Sequence, residues 1–183
     1  MAFSPEQIAI RQAAESAPPD VVVDRDSIRI LQTLEMNGNK YVMVSFNQSD
    51  QNRKDECVFV YGFQKPSMGM WSTYSGGGGC AGQIAGEPEA PMPISNIGLN
   101  MASGGGGPTD PGVSIMSGTI NATDIVKVRV TWADNTAQEV AVLNNSFLVV
   151  RAGQVNMLNV EGLNERGDVV YNHQNPPAAP GKQ

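Results

Sequence analysis

The chain reads as a mainly β protein, an antiparallel β-sandwich or open barrel with a short N-terminal helix. Three observations predict this. Apolar and polar residues alternate at the two-residue period of a half-buried strand, most clearly where Val126, Val128, Val130 and Trp132 interleave with Lys127, Arg129 and Thr131. Turn residues punctuate such runs at Asn37-Gly38-Asn39, Asp134-Asn135 and Asn144-Asn145. The composition agrees: 20 Gly, 12 Pro and 16% charged residues, against about 25% in an average protein, suit short strands joined by many turns. At 40% hydrophobic, 183 residues can fill a core.

Residues 1–18 are expected to form a helix acting as a tether or lid. Ser4 is placed as N-cap, Pro5 at the first helical position and Gln7 three residues after the cap. Ile8, Ile10, Ala13 and Ala14 continue the helix, and Ala17-Pro18-Pro19 ends it. Residues 19–75 form an N-terminal β unit. Ile28 to Leu34 and Tyr41 to Phe46 flank the Asn-Gly turn as a hairpin, because both turn residues tolerate positive φ. The polar stretch Asn47 to Glu56 reads as a loop. Cys57 to Lys65 and Gly69 to Ser75 follow as strands joined at Pro66-Ser67-Met68. Residues 76–112 hold two four-glycine runs, Gly76 to Gly79 and Gly104 to Gly107, and read as a loop or linker between two β units. A strand at Ile94 to Met101 interrupts it.

Residues 113–173 form the clearest unit, a C-terminal β-meander. After the alternating strand ending at Trp132, Gln138 to Leu143 returns and Phe147 to Arg151 goes out. Gln154 to Gly162 and Asp168 to Tyr171 then close the meander around Glu165-Arg166-Gly167. Residues 174–183, with three prolines, read as a disordered tail. The strings Asp124-Ile125-Val126-Lys127-Val128-Arg129-Val130-Thr131-Trp132-Ala133-Asp134 and Asn145-Ser146-Phe147-Leu148-Val149-Val150-Arg151-Ala152-Gly153 carry a resemblance. This part of the chain, roughly residues 114 to 172, resembles a module of uncharacterised exported bacterial proteins, membrane-anchored or lipoprotein-like. Those proteins end in a fibronectin- or carboxypeptidase-regulatory-like sandwich. The resemblance implies an Ig-like meander and an extracytoplasmic setting, and it lends no activity.

The two cysteines are Cys57, which opens an apolar run, and Cys80, which follows the glycines. If the two runs pair as a hairpin, Cys80 returns beside Cys57, and a disulfide there would stabilise by about 3 kcal/mol. Such a bond favours an extracytoplasmic protein, secreted or membrane-tethered, over a cytosolic one. Met1 to Ile10 carries no signal peptide and no run of about 18 apolar residues occurs, so the expectation is an anchor upstream of Met1 and no direct membrane insertion by this chain.

Twelve basic residues scattered singly, with a net charge of −6, lack the clustered Lys and Arg that track phosphates, so nucleic acid is not expected as a partner. The lone His173 lies beside the Pro-rich tail, is not expected to serve a nucleophilic triad, and forms no metal-ligand set with the cysteines. Glu56, Glu139, Glu161 and Glu165 fall at turns or outward strand positions and read as a solvated face rather than an acid/base pair. Neither glycine run has the helix or the Lys-Ser/Thr ending of a phosphate loop. Asp24-Arg25-Asp26 and the Asp50 to Glu56 stretch lack the spaced ligands and turn glycine of a calcium loop. No catalytic, cofactor-binding or metal-ligating residue is therefore assigned, and no cofactor is expected.

The candidate contact surface is Met68, Met70, Trp71 and Tyr74. Aromatic and Met side chains serve such surfaces when exposed, and Met70 and Trp71 must point to opposite faces. Core packing is the competing reading. The functional expectation is a non-enzymatic binding or scaffolding module of the cell envelope. Its partner would be a cell-surface protein or carbohydrate, with self-association also open. The alternatives are a structural subunit of a surface filament or virion, and an enzyme or inhibitor whose site is assembled from distant residues.

Overall fold

A computed structural model describes residues 3–15, 17–50, 53–64, 69–84, 93–102 and 112–174. Within them the chain forms helix α1 (Pro5–Glu15) and strands β1 (Val22–Met36), β2 (Asn39–Ser49), β3 (Arg53–Gln64) and β4 (Ser72–Ile84). These are followed by β5 (Ile94–Ala102), β6 (Val113–Ile120), β7 (Lys127–Trp132), β8 (Ala137–Ala141), β9 (Ser146–Ala152), β10 (Met157–Leu163) and β11 (Val169–Gln174). The protein is mainly β and antiparallel. Its strands make a first sheet in the order β1-β2-β3-β4, a middle sheet β5-β6-β9 and an outer sheet β11-β10-β7-β8.

The helix begins as the capping residues dictate. Ser4 N–H donates to Gln7 Oε1 at 2.9 Å, and Gln7 N–H donates to Ser4 Oγ at 3.3 Å, a reciprocal capping box. Ala9 and Ala13, four apart on one side, are fully buried against the first sheet, where their small side chains let the helix lie close. Lys40 with Glu6, and Gln12 with Thr73 at 2.8 Å, tie its flanks to β2 and β4. The helix is thus packed on the first sheet through its small-residue face.

The layers follow from which way the strand residues point. On β2 and β3, Val42, Val44, Phe46, Cys57, Tyr61 and Phe63 face α1, whereas Tyr41, Met43, Val58 and Val60 face the middle sheet. On β6 and β9, Val113, Ile115, Leu148 and Val150 meet the first sheet. Met116, Ile120, Phe147 and Val149 turn the other way, toward Val128, Val130, Trp132 and Val160 of the outer sheet. The middle sheet is thus buried on both faces, and every residue of β6 is buried. The middle and outer sheets form the expected sandwich, and the first sheet packs on its back.

Two segments differ from the sequence reading. Residues Gly76 to Gly79, expected to open a loop or linker, lie inside β4, with Gly76 opposite Tyr61 and Gly78 opposite Phe59. A Cβ built on Gly78 would stand 2.6 Å from Phe59 Cγ and 2.1 Å from the Val58 carbonyl oxygen, and one on Gly76 would stand 3.1 Å from Tyr61 Cδ1. The rings of β3 cover a strand without side chains, which offsets the entropy that glycine loses on ordering. The polar stretch Asn47 to Glu56 is likewise largely strand, with Asn47, Gln48 and Ser49 opposite Glu56, Asp55 and Lys54. The strand expected at Ile94 to Met101 is present as β5; residues 85–92 and 103–111 of the expected linker lie outside the described residues. So does the expected tail from 175 on, and Gln174 belongs to β11.

The two β units meet in one core rather than across a divide. A polar clamp adds to the shared apolar cluster: Gln32 Nε2 on β1 donates to the carbonyl of Ser146 at 2.7 Å, and Asn144 Nδ2 donates to the carbonyl of Leu31 at 2.7 Å. The turn that presents these groups needs Asn144 and Asn145 at φ of 49° and 54°, a region Asn tolerates better than most residues.

Candidate contact surface

Of the four expected contact residues, the three that are described do not form one patch. Met70 is 64% exposed. Trp71, next along the chain, is half-buried in the cluster beneath α1. Tyr74 is on the opposite face, half-buried in the cluster shared with the middle sheet, where its ring meets Tyr41 edge-on and their hydroxyls hydrogen-bond. Core packing therefore claims Tyr74 and part of Trp71, and of the three described residues Met70 alone is largely exposed. Met68 lies outside the described residues. Strand alternation already places Trp71 and Tyr74, three residues apart, on opposite faces, and a register shift between Gly62 and Phe63 of β3, where β4 takes up one extra residue, sets which face each takes.

Cys57 and Cys80 are register partners on β3 and β4 and are joined by a disulfide. Cys57 is fully buried and Cys80 half-buried. Gln48 Nε2 lies 3.4 Å from Cys80 Sγ on the adjoining strand.

A groove of about 370 Å³ runs along the flank of α1, lined by Phe3, Gln7, Ile8, Arg11, Gln12 and Glu15. Phe3 is 61% exposed at its mouth. Gln12 spans groove and sheet: its Nε2 holds Thr73, while its Oε1 is buried without a hydrogen-bond donor. Arg11 and Glu15 neutralise one another at 3.0 Å. The accessible part of this face is therefore the exposed Phe3 ring beside a self-paired charge. Sequence reasoning missed this face, although Phe3 stands just ahead of the capping box and outside the Ala9–Ala13 stripe.

The carboxylates considered for acid/base work are distributed differently. Glu139 and Glu161 flank Arg129 from the strands on either side, with guanidinium nitrogens 2.7 Å and 3.1 Å from their oxygens. The hydrogen bond to Glu139, then that to Glu161, raises the pKa of Arg129 above its usual value. The row is a cross-strand ion ladder on the solvent side of the outer sheet. Glu56 is exposed on β3, and Glu165 is exposed in the turn before β11. His173 sits on β11 opposite Val160.

At the Asp134-Asn135 turn, Arg151 donates to Asp134 through both terminal nitrogens, at 2.6 Å and 3.0 Å, and lies 5.4 Å over the ring of Trp132. The Arg151 hydrogen bonds, then that from Thr136, hold the Asp134 carboxyl well below the usual carboxylate range. Among the described residues no three His, Cys, Asp or Glu side chains gather as a metal site, and no helix is long and apolar enough to cross a membrane. Comparison of the chain with family models, with curated proteins and with solved structures returned no match.

Proposed function

We propose that this chain is a non-enzymatic binding or scaffolding module of the cell envelope, held outside the cytoplasm, with a cell-surface protein or carbohydrate as its partner. The observation that carries the reading is the Cys57–Cys80 disulfide, because such bonds persist in oxidising compartments and are rare in the cytosol. The resemblance of residues 114 to 172 to exported modules supports the same compartment. The layered sheets act as a rigid body, and the α1 flank with Phe3, together with Met70, supplies the contacts.

The test is to alkylate thiols in intact source cells, fractionate them, and read Cys57 and Cys80 by mass spectrometry. The reading predicts both cysteines protected until a reductant is added, with the protein in the envelope or external fraction. It also predicts that Phe3→Glu and Met70→Glu reduce retention on isolated envelopes. Free thiols in a cytosolic fraction would overturn it.

A further inference from the structure

Among the described residues six strands end the three sheets, and five of them, β1, β4, β5, β8 and β9, lie against a second strand from another sheet. β1 runs beside β9, β4 beside β5, and β8 beside β9. β11 differs: among the described residues it packs closely on β10 alone. An edge strand offers a row of backbone donors and acceptors, which proteins guard with charge, proline, bulges or a covering element. β1 carries Asp24, Arg25, Asp26 and Arg29 and two register shifts, and β8 carries Glu139. β11, Val169-Val170-Tyr171-Asn172-His173-Gln174, has no Asp, Glu, Lys, Arg or Pro. Its register shift falls at its start, opposite Leu163, and Tyr171 to Gln174 pair regularly. Val169 and Val170 are 47% and 41% exposed.

We propose that β11 is an association edge at which two copies of this chain pair antiparallel, joining their outer sheets into one continuous eight-stranded sheet. A second copy fits because the strand is complementary to itself. Two uncharged strands related by a two-fold axis bring no like charges opposite one another, even though each chain carries a net charge of −6. The charged turn that precedes the strand falls at the far ends of the pairing, and there Arg166 already holds Asp168 at 3.1 Å. With the axis between Tyr171 and Asn172, the exposed Val170 of each copy lies opposite His173 of the other. This proposal goes beyond the envelope reading, which a monomer would leave intact.

The experiment is sedimentation velocity of the full oxidised chain from about 5 to 500 μM, with hydrogen exchange at both ends of that range. A dimer should grow with concentration, and amide protection at residues 169–174 should rise with it. Val170→Lys and Asn172→Lys place charges at exposed positions of the edge, so the fold, checked by circular dichroism, should survive. Each should weaken association about tenfold or more. A monomer throughout would overturn the proposal. So would a dimer that both lysine variants leave unchanged, or one whose new protection lies elsewhere.

Discussion

Replacing Cys57 and Cys80 together by alanine should lower stability by an amount the structure sets. The bond links residues 23 apart. On the chain-entropy relation, releasing a loop of that length restores roughly 11 cal/mol/K to the unfolded state, or about 3.4 kcal/mol at 25 °C. Alanine keeps both sites apolar, so the loss belongs mainly to the cross-link. The effect should be centred on β4, whose four consecutive glycines offer no side chains of their own for anchorage. Urea unfolding followed by tryptophan fluorescence suits the question, because Trp71 and Trp132 report on the first and outer sheets respectively. With a slope of roughly 2 kcal/mol/M, the midpoint should fall by roughly 1.5–2 M, and exchange of β4 amides should accelerate more than that of β6. A loss under about 1 kcal/mol, with β4 amides still as slow as in the oxidised protein, would mean that the cross-link does not hold β4 in place.

The glycines of β4 should not be equivalent. Gly78→Val meets Val58 and Phe59 backbone and should cost about 1–3 kcal/mol or more, whereas Gly79, with nothing within 4 Å of its Cβ position, should accept valine within about 0.5 kcal/mol; equal midpoints in urea would contradict the pairing. Phe147→Ala removes a fully buried ring that lies against Gly118 and should cost about 3–5 kcal/mol in the same assay. Asp134→Asn should destabilise at neutral pH. Because the folded carboxyl is depressed, that gap should be full above the unfolded value near 4 and fade as pH falls below it toward the folded value; a gap that persists or widens in acid denaturation would contradict the Arg151 pairing.

The fold class was legible because one face of the outer sheet is wet, which leaves Val128, Val130 and Trp132 alternating with polar neighbours. The middle sheet hides that signal. Val113 to Met116 and Phe147 to Val150 are buried on both faces, so period two disappears from the sequence just where the core is densest. Its buried hydroxyls find partners distant in the chain, as when Ser114 Oγ donates to the carbonyl of Gly153 and accepts from the N–H of Val155. The glycine run conceals its strand for a related reason. Its capacity to be a strand resides in Phe59 and Tyr61 of the neighbouring strand, and only the register connects them. The cysteine pair was legible because a hairpin of the two runs already returned Cys80 beside Cys57. The contact residues were not. A single extra residue taken up in β4 sent Tyr74 into the shared core, and no local pattern marks that bulge.

The first sheet and the C-terminal sandwich share one interior. Proton contacts between methyl groups in labelled protein report on that interior. Cross-peaks should link the methyl groups of Met43 and Val60 on the first sheet with those of Ile115 and Leu148 on the middle sheet, since all four belong to one buried cluster. Spectra with contacts inside each set and none between the sets would contradict it.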